Sequence, residues 1–394
     1  MRSDNDNLLC RCRRVLAGVR YYWLREYRHV LRDAEVLVFF LLLPIAYPIL
    51  YALIYNPEVV TDIPVVVVDD ARTALSREIV RCFDATPAAH IVGYCANLDE
   101  ARSMMMQREC YAIILFPSSF SRDIERGEQS SIVFYTDMSL LLNYKELYMA
   151  LNNVVLDIES TIRLQQMPIG LSSSITDIVA NPIPYTSVVL YNPTSGIASF
   201  LIPAVLVLIL QQSVVLGIAM LAGKAHEQGR GWFERRNFWT QLVGRMLCYS
   251  SIYLFNTIYL LHFIPSIFGY PQLGTMSDIM IFSLPFILSS ICMAVTLSVM
   301  VREREQVYLL FVAMSVILLF LSGIAWPRYA MPAVWRWLSY IFPSTWGVEG
   351  FVQLSTMGAC FSDVAQSYCH LWVLVVFYMI TARVALHYDN RAMR

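Results

Sequence analysis

Charge is scarce in this 394-residue chain: 15% of residues are charged, against about 25% in ordinary soluble domains. Net charge is nearly absent too. The 29 Lys and Arg against 30 Asp and Glu leave −1, so no basic surplus points to nucleic acid. Catalytic signatures are missing: no G-x-S-x-G elbow, H-E-x-x-H or C-x-x-C occurs. No phosphate-binding loop is complete. In G-I-A-M-L-A-G-K-A, Gly217–Ala225, the first glycine stands one place early, and Ala225 occupies the position of the Mg²⁺-binding hydroxyl. ATP hydrolysis by this chain itself is therefore not expected, nor is any cofactor or metal. The nine cysteines form no framework, and the pairing of Cys82, Cys95, Cys110, Cys360 and Cys369 stays open. Apolar residues are abundant instead, at 57% of the chain with a mean hydropathy of +0.52. That excludes disordered, collagen-like and small disulfide-scaffold proteins, and argues against a soluble enzyme.

The apolar excess sits in blocks. Crossing about 30 Å of hydrocarbon takes about 20 mostly apolar residues. Six stretches qualify: Ala34–Tyr55, Ile197–Ala222, Met246–Phe268, Ile279–Val301, Val307–Trp326 and His370–Tyr388. The sixth is interrupted by Arg383, which can snorkel near a helix end. Arginines crowd before the first span and between spans two and three, and recur between four and five and after six. The positive-inside rule makes those segments cytoplasmic, with both termini inside. Before the first span, Val19, Tyr22, Trp23, Tyr27 and Val30 recur at helical spacing, with Val15, Leu16 and Leu31 on the same side. Arg14, Arg25, Arg28 and Arg32 lie opposite. This reads as an interfacial amphipathic helix over residues 1–33.

Residues 56–196 differ. Ile63–Asp69, His90–Cys95, Tyr111–Phe116 and Ser131–Tyr135 read as strands. Ala71–Ala85, Leu98–Glu109 and Tyr144–Gln165 read as helices, followed by a connector at Pro168–Pro184. The alternation predicts a small α/β domain on the outside. Asp69 and Asp70 read as strand-end acids and a helix cap before Ala71. The six histidines are scattered; His262, within a span, reads as structural rather than as a proton relay.

Five local patterns, in order, resemble the membrane permease of a bacterial type-2 ABC exporter. They are I-P-V-V-V-V-D-D-A-R-T-A-L-S-R from Ile63, with the strand and S-S-F-S-R-D-I that follow; L-Y-N-P-T-S-G-I-A-S-F-L-I-P from Leu190; H-E-Q-G-R-G-W-F-E from His226; S-G-I-A-W-P-R-Y-A-M-P from Ser322; and Y-I-F-P-S-T-W-G-V-E-G-F from Tyr340, ending in T-M-G-A. The third departs from the family's usual E-x-E-x-G-T-x-E: Ala225 and His226 replace the leading charges and Arg230 the threonine.

The resemblance implies an α-helical integral membrane protein with six transmembrane helices and an inserted extracytoplasmic α/β domain. The first helix spans 34–55, the membrane domain 197–388 and the tail 389–394. It implies a coupling loop, 223–245, that meets a separate cytoplasmic ABC ATPase through Glu227, Gly229, Trp232, Phe233 and Glu234, with Arg302 and Glu303 as a second contact. Trp232 and Phe233 would anchor in a groove of the ATPase, and Glu234, Arg235 and Arg236 would pair at its rim. ATP and Mg²⁺ would be held by that partner. It implies a re-entrant gate over 327–350, marked by Trp326, Pro327, Pro332, Pro343 and Trp346. A second permease, as homodimer or heterodimer, and a periplasmic adaptor are the further partners, in the bacterial inner membrane. The polar residues Gln211, Gln212 and Asn256 are the pathway candidates, for a hydrophobic, amphipathic or drug-like cargo. The competing reading is a membrane receptor or envelope-assembly protein with a ligand-binding outer domain. It lacks support in the short cytoplasmic loops, which offer no output domain.

Overall fold

The computed structural model describes residues 2–55, 58–165, 190–192, 195–229, 231–234 and 237–392. The connector at Pro168–Pro184, and Arg230, Arg235 and Arg236, lie outside the described residues. The chain divides into two units: Met1–Glu58 with Val189–Arg394, and Val59–Val188 between them.

The inserted unit is built from β1 (Ile63–Asp69), α3 (Ala74–Asp84), β2 (Ala89–Tyr94), α4 (Leu98–Met106), β3 (Ala112–Phe116), α5 (Phe120–Glu125), β4 (Val133–Thr136) and α6 (Leu141–Gln165). The labels α1 and α2 belong to the helices ahead of it. Strand order is β2-β1-β3-β4. The three strands joined by helical crossovers are parallel, and β4 returns antiparallel to β3, with Ile113 opposite Tyr135. The unbroken I-P-V-V-V-V run follows from burial on both faces. Val65, Val67, Ile114 and Phe116 join Ile79, Phe83 and Leu147 on one side. Val66, Val68 and Ile113 join Ala101 on the other. The cap of α3 is not Asp69 or Asp70, as the sequence suggested, but Thr73, which forms a reciprocal box with Ser76. Asp69 braces the preceding loop, accepting from the Arg72 amide at 2.9 Å and from Ser76 Oγ at 2.7 Å. α5 had no sequence signal; one and a half turns carry too little periodicity to show.

The other unit is helical. α1 spans Arg2–Leu31. Among the described residues, six helices are long and apolar enough to cross a membrane: α2 (Ala34–Ile54), α7 (Ile197–Glu227), α8 (Phe238–Phe268), α9 (Met276–Met300), α10 (Arg304–Leu321) and the apolar part, Ala365–Tyr388, of α13 (Ala365–Ala392). Two short helices, α11 (Ala333–Ser339) and α12 (Pro343–Ser355), stand between the last two. α7 is buried almost all round and forms the centre. Small residues let its neighbours approach. A side chain at Gly217 would meet the Phe40 ring at 2.5 Å, and one at Gly347 of α12 would meet Phe286 of α9 at 2.5 Å.

Prolines inside the helices leave carbonyls without their usual donor. Pro44 cannot serve the Phe40 carbonyl, and Asn256 Nδ2 does so at 2.7 Å. Pro265 cannot serve Leu261, and Gln272 Nε2 does so at 2.8 Å. Both places carry a π-helical turn, at Val38–Leu42 and Tyr259–Phe263. Asn256→Leu strands the Phe40 carbonyl in a dry core. The expected loss is about 1 kcal/mol, within the range measured for hydrogen bonds inside membranes, read as a lower unfolding midpoint in detergent; an unchanged midpoint refutes the pairing.

Candidate functional site

The loop after α7 is built into its own chain. Glu234 Oε1 accepts from Arg25 Nη1 at 2.8 Å and Oε2 from the Tyr22 hydroxyl at 2.9 Å, both from α1. The backbone of Glu234 is clamped by the amide of Gln241 in α8, which donates to its carbonyl and accepts from its N–H, each at 3.0 Å. α1 lies close along α8 because Gly244 permits it: a side chain there would meet Tyr22 Cβ and the Val19 carbonyl at 2.9 Å. The face that meets α8 carries Val19, Tyr22, Trp23 and Tyr27, whose hydroxyl pairs with Ser251, while Val15, Leu16 and Leu31 are exposed.

Trp232 and Phe233 are 7% and 2% exposed. Their rings cover the Arg245 guanidinium, 4.6 and 4.2 Å from it, and Arg245 Nη2 donates to the Trp232 carbonyl at 2.8 Å. This corrects the expectation that they project as anchors for a partner. A guanidinium stacks on aromatic faces, and Arg245, in an apolar helix, claims both rings. Arg245 in turn meets Glu26 of α1 at 3.2 Å, and Glu26 accepts from the Tyr249 hydroxyl at 2.5 Å.

Glu227 closes a second cluster. Its Oε1 accepts from the backbone N–H of Arg304, the first residue of α10, at 2.7 Å. Arg304 reaches Asp33 Oδ2 at 2.8 Å and Glu35 Oε2 at 2.5 Å, and Lys224 joins Asp33 at 2.5 Å. The ends of α2, α7 and α10 are thus tied to one point. Gly229 takes the left-handed conformation, φ +66°, that lets the chain leave α7. The Arg302 amide donates to Gln306 at 2.9 Å, and Glu303 precedes α10 as its cap residue without a side-chain bond to it.

The bond from Arg25 holds the Glu234 carboxyl below its ordinary range, helped by Tyr22 against the cost of burial. Burial pushes Asp33 up, but Lys224 and Arg304 outweigh it, and the net shift is downward. Depressed carboxylates stabilise the fold above their unfolded values, 4.5 and 3.8, and that contribution is lost as pH falls through the folded values. The unfolding midpoint should fall as pH drops below 4.5, and less steeply in Glu234→Gln. Parallel curves for the two proteins would count against the Arg25–Glu234 bond.

At the other end of the helices, Pro327 opens a short 3₁₀ turn, Arg328–Ala330, and Pro332 and Pro343 start α11 and α12. Trp326 is exposed and Trp346 is buried. Trp346 Nε1 donates to the Tyr340 carbonyl at 3.1 Å, and its ring stacks on His370 with centroids 4.0 Å apart. Arg328 lies over the Trp346 ring at 4.9 Å and pairs with Glu349, a latch that the sequence reading missed. A cavity of about 870 Å³ opens beside it, lined by Phe200, Gly323, Pro327, Arg328, Glu349 and Met357 among others.

The pathway candidates do not gather. Asn256 is fully buried and serves the Phe40 carbonyl, a structural role that removes it from a water-accessible path. Gln211 is fully buried, with neither side-chain polar atom hydrogen-bonded. Gln212 faces α10 at a narrow gap beside Val307 and Phe311. In the inserted unit, a groove of about 900 Å³ runs past Phe134, Tyr144, Tyr148, Val155, Glu159 and Arg163. Cys82, Cys95, Cys110, Cys248, Cys292, Cys360 and Cys369 are free, and among the described residues no three His, Cys, Asp or Glu gather to hold a metal.

Six membrane-length helices joined by tied-down loops define a multi-pass membrane protein. The family model for ABC-2 family transporter proteins matches residues 34–384, and the chain belongs to that family. No curated protein matches it.

Proposed function

We propose that this chain is the permease subunit of an ATP-driven exporter, working with a separate cytoplasmic ABC ATPase that holds ATP and Mg²⁺. It carries no ATPase site of its own. The termini and the loop after α7 face the cytoplasm of a bacterial inner membrane, and the inserted α/β unit lies outside. A second permease completes the pathway. The cargo is hydrophobic or amphipathic, which the apolar groove of the inserted unit supports.

The observation that carries the reading is the set of polar ties on the described residues of the loop after α7. Glu234 ties it to α1 and α8, and Glu227 to α10, with Asp33 and Lys224 bringing in α2 and α7. A push on that loop is delivered to four membrane helices at once, which is what coupling between an ATPase and a transport pathway requires. Arg328 and Glu349 act as the outer gate, with Pro327, Pro332 and Pro343 setting its shape.

The test is co-purification with candidate ATPases followed by Glu234→Arg. Charge reversal against Arg25 should leave the complex assembled and lower transport per ATP by about tenfold, equal to about 1.4 kcal/mol of lost coupling. A chain that purifies without an ATPase, and a variant that transports normally, would sink the reading.

A further inference from the structure

A cleft of about 560 Å³ lies between α1, the last turns of α7 and the loop at Gly231 and Trp232. Five cations line it, Arg25, Arg28, Arg32, Lys224 and Arg245, against one acid, Glu26. Three of the cations are spent within the chain: Arg25 on Glu234, Lys224 on Asp33 and Arg245 on Glu26. Arg28 and Arg32 are different. Both are exposed, and among the described residues neither has an acidic partner within 4 Å. They stand four apart on one face of α1, where like charges repel. An anion between them relieves that cost.

The surroundings narrow the anion. Leu221, Lys224 and Ala225 belong to the end of a membrane span, so the cleft sits where hydrocarbon gives way to water. Tyr21 and Leu24 also line it and are exposed apolar groups on the same helix. Burial lowers the His29 imidazole, and Arg25, Arg245 and Lys224 press the same way against Glu26, so the positive character of the wall comes from the arginines and Lys224 and not from His29. Planar guanidinium forks match phosphate oxygens two at a time, and basic pockets beside membrane helices suit lipid headgroups.

We propose that this cleft binds the phosphate headgroup of an anionic phospholipid, with Arg28 and Arg32 as its ligands and the acyl chains lying beside Leu24. The lipid pins α1 against the end of α7. This goes beyond the transporter reading and does not depend on it.

The test uses the full chain in mild detergent, titrated with phosphatidylglycerol or phosphatidylcholine and read by native mass spectrometry. Retention of phosphatidylglycerol but not phosphatidylcholine is expected. Arg28→Ala with Arg32→Ala should weaken it about thirty-fold, about 2 kcal/mol at about 1 kcal/mol per arginine. Arg13→Ala with Arg14→Ala removes equal charge from α1 outside the cleft and should change binding by less than about twofold. Arg28→Lys with Arg32→Lys keeps the charge without the fork and should recover part of the loss. Neither arginine is ion-paired among the described residues, so these variants fold, which the unfolding midpoint verifies. Equal losses in the two alanine pairs would reduce the site to diffuse surface charge and overturn the proposal. So would equal retention of both lipids, or displacement by millimolar inorganic phosphate, which would make the ligand a soluble anion.

Discussion

Arg245→Met should destabilise the chain by about 3–5 kcal/mol, the cost of leaving one member of a buried ion pair without its partner. The side chains of Arg245 and Glu26 are 9% and 7% exposed. Without the guanidinium, Glu26 keeps, among the described residues, only the Tyr249 hydroxyl as a donor, and a carboxylate in that setting is short of compensation. The loop loses as well. Trp232 and Phe233 lie over the guanidinium, and the Trp232 carbonyl accepts from it, so the variant should be cut by protease near Trp232 where the parent resists. Because the stranded charge carries most of the penalty, Glu26→Gln added to Arg245→Met should regain more than half of it. Denaturant unfolding of the four proteins measures the cycle. If Arg245→Met costs less than about 1 kcal/mol, the pair is not buried in the way described.

Arg304→Ala should cost about 2–3 kcal/mol, in line with the loss of charge-assisted hydrogen bonds at a half-buried site. Its side chain answers three carboxylates, Asp33, Glu35 and Glu227. Lys224 still reaches Asp33 in the variant, and the Glu227 bond to the backbone of residue 304 does not need the guanidinium, so the fold should survive. What fails is the junction of α2, α7 and α10. Arg304→Lys keeps the charge but cannot fork between two acids and should fall midway. Added salt should narrow the difference, since Glu35 is exposed. A midpoint that stays put in Arg304→Ala would show that the three helices are joined by apolar contacts alone.

The membrane spans and the parallel strands were legible because each is a local pattern. An apolar run of about 20 residues, or I-P-V-V-V-V between turn signals, reports its own environment. The mounting of the loop was not legible. Lys224 with Asp33, Arg304 with Asp33 and Tyr249 with Glu26 join residues far apart in the chain, and no periodicity encodes such a meeting. Trp232 and Phe233 looked available to a partner because their neighbours in sequence are charged. Their neighbour in space is Arg245, one helix further on. Asn256 looked like a pathway residue for the same reason: a polar group in a span is visible in sequence, but the carbonyl it answers belongs to Phe40. The glycines that let α1 lie along α8, and α12 along α9, gave no signal beyond their size.

The proline-freed carbonyls set a limit on how this chain can diverge. Replacing Pro44 alone restores the missing amide and makes Asn256 a second donor to a carbonyl already served. Replacing Asn256 alone leaves the Phe40 carbonyl bare. The same holds for Pro265 and Gln272. Each proline thus makes its distant amide useful, and the order of change matters: the amide can be given up at little cost only after the proline has gone.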